Sequence, residues 1–255
     1  MRLANKVVVV TGGGTGIGKA ICLRFAEEGG EIIVVDQNQE TGKQTAEEIE
    51  SAGGKACYLF CDLSLETEIL ALTASIQNKY DRIDVLVNNA AMFLLKGIDA
   101  TREDWEQILS VNVIGYALTC KHLLPLLRKS SAGAIVNLGS ISSFIAQPQF
   151  VTYNATKAAI VSMTRCLALD LAPENIRVNA VCPGTIWTQI VERLTKEAGL
   201  TREQADAHPD WGGAHMIPRI ADPREVANAA LFLASEEASF ITAECLMVDG
   251  GYTAK

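Results

Sequence analysis

Aromatic residues make up only 6% of this 255-residue chain, histidine occurs three times, and long apolar runs are missing. Stretches such as Val7–Val10 and Ile32–Val35 fall far short of the roughly 18 residues a spanning helix needs, so no membrane segment is expected. Positive charge is in short supply: 22 Lys+Arg against 30 Asp+Glu leave −8, which argues against a nucleic-acid or anionic-membrane partner. The seven cysteines are odd in number, scattered and without a C-x-x-C pair, and His122, His208 and His215 form no ligand constellation with them. No metal site is expected, and the thiols read as small buried hydrophobes in a reducing compartment. Met1–Lys6 leads directly into a strand pattern, without a secretory apolar segment, so the expected location is cytoplasmic. No repeat, low-complexity tract or Pro/Gly/Ser linker divides the chain, and residues 1–255 are expected to form one domain.

Apolar residues, by contrast, are abundant at 49%. Short Val/Ile-rich runs at Lys6–Val10, Glu31–Val35, Ala56–Phe60, Asp84–Val87, Ala134–Leu138, Ile176–Ala180 and Cys245–Val248 read as seven strands. Their continuous apolar character fits strands covered on both faces, as in a parallel sheet. Helical periodicity marks Ile17–Glu28, Thr41–Ala52, Glu66–Tyr80, Arg102–Arg128, Thr152–Leu171 and Pro223–Ala234, with the helix at 152–171 apolar enough to be buried on more than one side. The alternation predicts an α/β fold: one doubly wound, Rossmann-type, seven-stranded parallel sheet with helices on both faces. An excursion of about forty residues, 183–221, breaks the rhythm at the carboxyl end of the sixth strand, where open α/β sheets bind ligands.

The first strand runs into Thr11-Gly12-Gly13-Gly14-Thr15-Gly16-Ile17-Gly18 and then a helix. The spacing is G-x-x-x-G-x-G, through Gly12, Gly16 and Gly18. Such a turn lets backbone approach a pyrophosphate, and the helix amino end adds unpaired N–H donors and a positive dipole. Asp36 follows the second strand, 18 residues past Gly18, where a dinucleotide fold places an acid against the adenosine ribose hydroxyls; a turn or cap aspartate is the plainer alternative. A carboxylate there would repel a 2′-phosphate. Gln37, Asn38 and Gly13 offer no compensating cation, which leaves Lys19 as the one nearby basic residue. NAD(H) is therefore expected over NADP(H).

These features, taken together, resemble the short-chain dehydrogenase/reductase family along the whole chain. The Thr11–Gly18 loop is similar to its cofactor signature, including Thr15 and Ile17, and Cys61-Asp62-Leu63 to its adenine-contacting segment. Asn88-Asn89-Ala90-Ala91 is similar to its N-N-A-G turn, with Ala91 in place of the glycine. Asn112, Ser140, Tyr153 and Lys157 match its catalytic tetrad. Pro183-Gly184-Thr185-Ile186, with Thr188 beyond, resembles its nicotinamide-side loop, and Asp249-Gly250-Gly251 its C-terminal signature. The resemblance implies a homotetramer built through the helices at 102–128 and 152–171 and the last strand.

On this reading Tyr153 and Lys157, spaced i,i+4, share a helix face, and the ammonium together with an oxidised nicotinamide lowers the phenol's pKa so that it exchanges protons with substrate. Ser140 would hydrogen-bond the reacting oxygen, with Ser142 and Ser143 as nearby alternatives that the family spacing passes over. The resemblance makes Asn112 the anchor of a water that relays protons through Lys157. By position the substrate wall draws on Phe93, Leu94, Ile141, Ser142, Phe144, Phe150, Trp187 and parts of 188–217, with Trp211 and His215 as weaker candidates and Arg219 as the nearest cation. A largely apolar pocket of this kind suits a neutral secondary alcohol or ketone, such as a sugar, polyol or cyclic alcohol. The main rival is reduction of 3-oxoacyl carrier-protein thioesters, and a non-enzymatic one is a cofactor-binding regulator.

Overall fold

A computed structural model describes residues 1–255. Val8 and Val10 of the first strand, β1 (Val7–Thr11), point into one apolar cluster and Val9 into another, and all three are fully buried. That is why the strand reads as an uninterrupted apolar run: alternation puts successive side chains on opposite faces, and both faces are covered. The same holds for β2 (Glu31–Asp36), β4 (Val85–Asn88), β5 (Gly133–Leu138) and β6 (Ile176–Pro183), while β3 (Lys55–Phe60) and β7 (Cys245–Val248) are only half-buried at the sheet edges. All seven pair in parallel, in the order β3-β2-β1-β4-β5-β6-β7. The expected sheet is present.

One face carries α1 (Gly16–Glu27), α2 (Gln39–Ser51) and α9 (Pro223–Ala234), whose Ile21, Phe25, Ile49, Val226 and Leu231 fill the first cluster. The other carries α3 (Glu66–Lys79), α4 (Arg102–Leu109), α5 (Tyr116–Leu127) and α6 (Val151–Leu171); Ile69, Leu72, Leu123 and Ala168 of α3, α5 and α6 pack there. Local chemistry fixes several helix starts. Asn38 accepts from the Glu40 and Thr41 amides at the head of α2, and Asp222 with Glu225 forms a capping box on α9, with Pro223 in its first turn.

Two expectations need correction. The segment 102–128 is not one α-helix: α4 and α5 are separated by a π-helical turn, Ser110–Gly115. The widened turn carries Asn112 inward, where its side chain is fully engaged, and Gly115 stands so close to the Leu63 carbonyl that a Cβ would lie 2.9 Å from it. Helix α6 is buried along a single stripe, through Thr152, Thr156, Lys157, Ile160, Val161, Thr164, Ala168 and Leu171, while Leu169 is 78% exposed. No helix is long and apolar enough to cross a membrane.

The excursion is a closed insertion. Ile186 bridges in parallel to Ala221, the Trp187 amide donates to the Ala221 carbonyl, and the Ala221 amide donates to the Thr185 carbonyl. Between these pins the chain forms α7 (Gln189–Glu197), α8 (Arg202–Ala207) and a 3-10 turn at Gly212–Ala214. The strand order reverses between β1 and β4, and a cleft of about 1200 Å³ opens there, beyond the carboxyl ends of the strands.

Candidate active site

At the tip of β1 the chain must turn sharply and leave room for a ligand. Gly12 adopts φ +64, and a Cβ there would lie 2.7 Å from the Ala90 Cα. At Gly18, in the first turn of α1, a Cβ would collide with the Gly12 carbonyl oxygen. Asn89, at the end of β4, holds this loop in place: its Nδ2 donates to the Thr11 and Gly12 carbonyls, both at 3.0 Å. Thr11 returns the contact through Oγ1, which accepts from the Asn89 and Ala90 amides. The result is a backbone cradle at a helix amino terminus with no acidic residue in the helix's first turn, the arrangement that suits a pyrophosphate.

Asp36, at the end of β2, faces the cleft beside Gln37. Its Oδ2 accepts from the Gly14 amide at 2.9 Å and its Oδ1 from the Asn38 amide at 2.8 Å, so it braces a turn and also presents a carboxylate to the cleft. Lys19 does not reach this site; its ammonium is held 2.6 Å from Glu48 on α2. Position 13 cannot serve as a point from which a cation reaches a 2′-phosphate, contrary to expectation, because a Cβ on Gly13 would lie 2.9 Å from Cys22 Sγ and Val34 Cγ1, facing the core. Thr15, exposed at the cleft, is the loop position from which a basic side chain would reach the ligand, and it is neutral. Of the remaining expected cofactor positions, Gly16, Ile17, Asp62, Leu63, Ala90, Pro183, Gly184, Thr185, Ile186 and Thr188 all line the same cleft. Glycines where side chains would clash, a braced acid at the ribose position and a helix amino end together fit a dinucleotide.

Ser140, Tyr153 and Lys157 come together between the end of β5 and the start of α6, and all three line the cleft. Ser140 Oγ accepts from the Ser142 amide at 3.1 Å, which leaves its own O–H to donate outward. Ser142 also lines the cleft, whereas the Ser143 hydroxyl is buried without a partner. Lys157 is buried, and its Nζ donates to the Leu138 carbonyl at 2.7 Å while standing 5.7 Å from the centre of the Tyr153 ring. Burial lowers the ammonium's pKa to about 8. Burial also pushes the Tyr153 phenol up to about 12, against a downward pull from the Ser140 hydroxyl. In the protein by itself desolvation dominates the phenol; the expected lowering joins the Lys157 ammonium with an oxidised nicotinamide. Asn112 does not line the cleft. Its Oδ1 accepts from the Met92 amide at 2.7 Å and its Nδ2 donates to the Met92 carbonyl and to Thr156 Oγ1, tying the strand-end loop to α6.

The substrate half of the cleft is an aromatic corner. Phe93, Phe150 and Tyr153 meet edge-to-face, with ring centres 5.0 to 6.3 Å apart. Ile141, Ser142 and Trp211 join the wall as expected. Three expected residues do not. Phe144 is 45% exposed and turned away. The Trp187 indole lies under the Arg202 guanidinium at 4.3 Å and does not line the cleft. Leu94 gives its place to Leu95, and its carbonyl accepts from Thr152 Oγ1. His215 is buried outside the cleft, its Nδ1 against the Asp249 carbonyl, and Arg219 is held in two contacts of 2.7 Å by Glu225. The residues that sequence reasoning missed include Gln107, Ser110, Gln147, Ile190 and Leu194. The i,i+4 pair Ile190 and Leu194, on a short amphipathic helix in the excursion, was a readable signal; Gln107 and Gln147 carried none.

A doubly wound parallel sheet with a dinucleotide cradle at its switch point and a Ser–Tyr–Lys cluster beside it defines a nicotinamide-dependent oxidoreductase. Residues 12–253 match the family model described as enoyl-(acyl carrier protein) reductase. Cyclopentanol dehydrogenase of Comamonas testosteroni is 39% identical over 254 residues, covering 99% of both chains. The 3-oxoacyl-(acyl-carrier-protein) reductase of Thermotoga maritima is 37% identical over 98% of this chain and 99% of its own. The ligand-free aldohexose dehydrogenase structure from Thermoplasma acidophilum superposes with a TM-score of 0.89 at 36% identity, covering 99% of this chain and 96% of that one. The chain belongs to the short-chain dehydrogenase/reductase family.

Proposed function

We propose that the protein is an NAD(H)-dependent dehydrogenase interconverting a neutral secondary alcohol, cyclic or polyhydroxylated, with its ketone. The observation that carries this reading is the placement of Ser140, Tyr153 and Lys157 on one wall of the cleft that the Asp36 carboxylate and the glycine cradle also line. A nicotinamide held in this cleft would supply the hydride acceptor in oxidation and the hydride donor in reduction. Tyr153 takes the hydroxyl proton in oxidation and returns it in reduction, and the Ser140 O–H donates to the same substrate oxygen. Lys157, fixed on the Leu138 carbonyl, keeps a positive charge near the phenol and stabilises the phenolate. Asn112 serves as a positioning residue through Met92 and Thr156.

Asp36 supports NAD(H), because no cation faces it: Lys19 is taken by Glu48 and Thr15 is neutral. The apolar, aromatic substrate wall supports a small uncharged ring or sugar, in line with the cyclopentanol and aldohexose dehydrogenases that this chain resembles. Its similarity to the 3-oxoacyl-(acyl-carrier-protein) reductase favours a second reading, thioester reduction with NADPH. Against it stand Asp36 and the engagement of Arg219 by Glu225. The exposed Val151 and Leu169 leave α6 an apolar outer face, which supports a homotetramer closed over that helix. The test is a screen of NAD+ and NADP+ reduction at 340 nm with cyclic alcohols, polyols, sugars, hydroxysteroids and hydroxyacyl thioesters. Turnover of a cyclic alcohol or sugar with NAD+ is expected. NADP(H)-selective activity confined to thioesters would establish the rival instead.

A further inference from the structure

The substrate wall contains one oriented polar element. Ser142 follows Ser140 in the same 3-10 turn, Ile141–Ser143, and is 5% exposed. Its amide is fixed on Ser140 Oγ, and its hydroxyl donates to Gln147 Oε1 at 2.8 Å. Oε1 is thereby occupied, and the side-chain NH2 of Gln147 makes no hydrogen bond within the protein. Both residues line the cleft, close to Phe93, Phe150 and Tyr153. An amide held by its oxygen in a mostly apolar wall is a donor aimed by its neighbour, and a polar group placed this way sets orientation and specificity.

We infer that Gln147, aligned by Ser142, is a specificity-determining residue that donates to a second oxygen of the substrate, so that cyclic diols are preferred to the corresponding mono-alcohols. The inference rests on the alcohol dehydrogenase reading above and narrows its substrate class. Gln147 is half-buried, so a mono-alcohol that fills the cleft takes its N–H groups from water without replacing that bond, and a desolvated donor without a partner costs more than an average hydrogen bond gains. A ring bearing a second hydroxyl satisfies it. The same turn that aims the Ser140 hydroxyl at the reacting oxygen therefore also sets the donor for the second one.

The test compares cyclopentanol with cis- and trans-1,2-cyclopentanediol, and cyclohexanol with the matching 1,2-diols, in the full-length protein with NAD+. For the wild type, kcat/KM for the better diol should exceed that for the mono-alcohol by about tenfold, equivalent to about 1.4 kcal/mol. Gln147→Leu should bring the ratio to about one through KM of the diol, with mono-alcohol kcat/KM held within about threefold. Ser142→Ala frees the amide to rotate and should give an intermediate ratio. NADH fluorescence binding, expected to stay within about threefold in both variants, shows that the cleft has folded. Equal wild-type rates for diol and mono-alcohol, or an undiminished preference in folded Gln147→Leu, overturns this inference alone. Absence of turnover for every alcohol in the wild type removes the dehydrogenase reading and this inference with it.

Discussion

Asparagine at position 36 isolates the charge to which the proposed preference for NAD(H) is assigned. Asp36→Asn keeps the shape of the side chain and one acceptor oxygen while removing the negative charge. Two unit charges about 4 Å apart interact by about 4 kcal/mol at the effective dielectric of a protein surface, and a ribose 2′-phosphate carries about −1.5 to −2. Solvent and salt screen a half-buried carboxylate, so about 3 kcal/mol is the working figure, a selectivity of roughly 100-fold for NAD+ over NADP+. The variant should compress that ratio to within about tenfold. Part of the change comes from a gain with NADP+. The rest comes from weaker ribose hydrogen bonds with NAD+, at about 1 kcal/mol each. A structural cost accompanies it, because the Gly14 and Asn38 amides both rely on Asp36 and an asparagine has one oxygen for the two. Melting temperature should therefore fall modestly, by the equivalent of about 1 kcal/mol. The assay is kcat/KM with each cofactor at 340 nm, at low salt and at about 0.5 M KCl, where screening should narrow wild-type selectivity. A wild type indifferent to the 2′-phosphate, or a variant with unchanged selectivity, would refute the assignment of Asp36.

Tyr153→Phe should lower kcat by about 10³-fold or more while NADH binding stays within about threefold, because only the proton-transfer atom is lost; turnover and NADH fluorescence titration check it. Lys157→Met should abolish turnover yet raise stability at pH 7 by about 1–3 kcal/mol. Burial holds the folded pKa at about 8, below the 10.5 of a free lysine, so the penalty is complete below pH 8 and fades as pH rises toward 10.5. The stability difference from wild type, read by urea denaturation, should shrink across that window. Asn89→Ala removes two side-chain hydrogen bonds to the Thr11 and Gly12 carbonyls and should cost about 2 kcal/mol, with a rise in KM for NAD+; unchanged values would show that the loop holds itself.

The seven strands, the glycine cradle and the shared face of Tyr153 and Lys157 were legible because each depends on local rules, while Ser140 was selected by the family resemblance. Strands buried on both faces must be apolar throughout, a helix that begins in a tight turn needs glycine, and an i,i+4 pair shares a face whatever surrounds it. The π-helical turn at Ser110–Gly115 was not legible, since periodicity cannot separate it from the helices it joins, and the contacts it makes, of Asn112 with Met92 and Thr156, are with residues distant in the chain. Trp187 and Phe144 were misplaced for a related reason: an aromatic near a site in sequence faces whichever partner the fold brings to it, here Arg202 for the tryptophan.

The excess of acidic over basic residues argued against a nucleic-acid or anionic-membrane partner, and the apolar strands with the Thr11–Gly18 loop pointed to a dinucleotide-binding α/β chain. Asp36 was identifiable from its spacing, but only the folded chain shows Lys19 drawn off by Glu48 and position 13 turned into the core. Likewise Tyr153 and Lys157 were recognisable as a pair, while their departures from ordinary proton affinity, upward for the phenol and downward for the ammonium, come from burial. Sequence determined which groups could do the chemistry, because periodicity and turn geometry are local. Tertiary structure decided their neighbours and their solvation, because both depend on residues far apart in the chain.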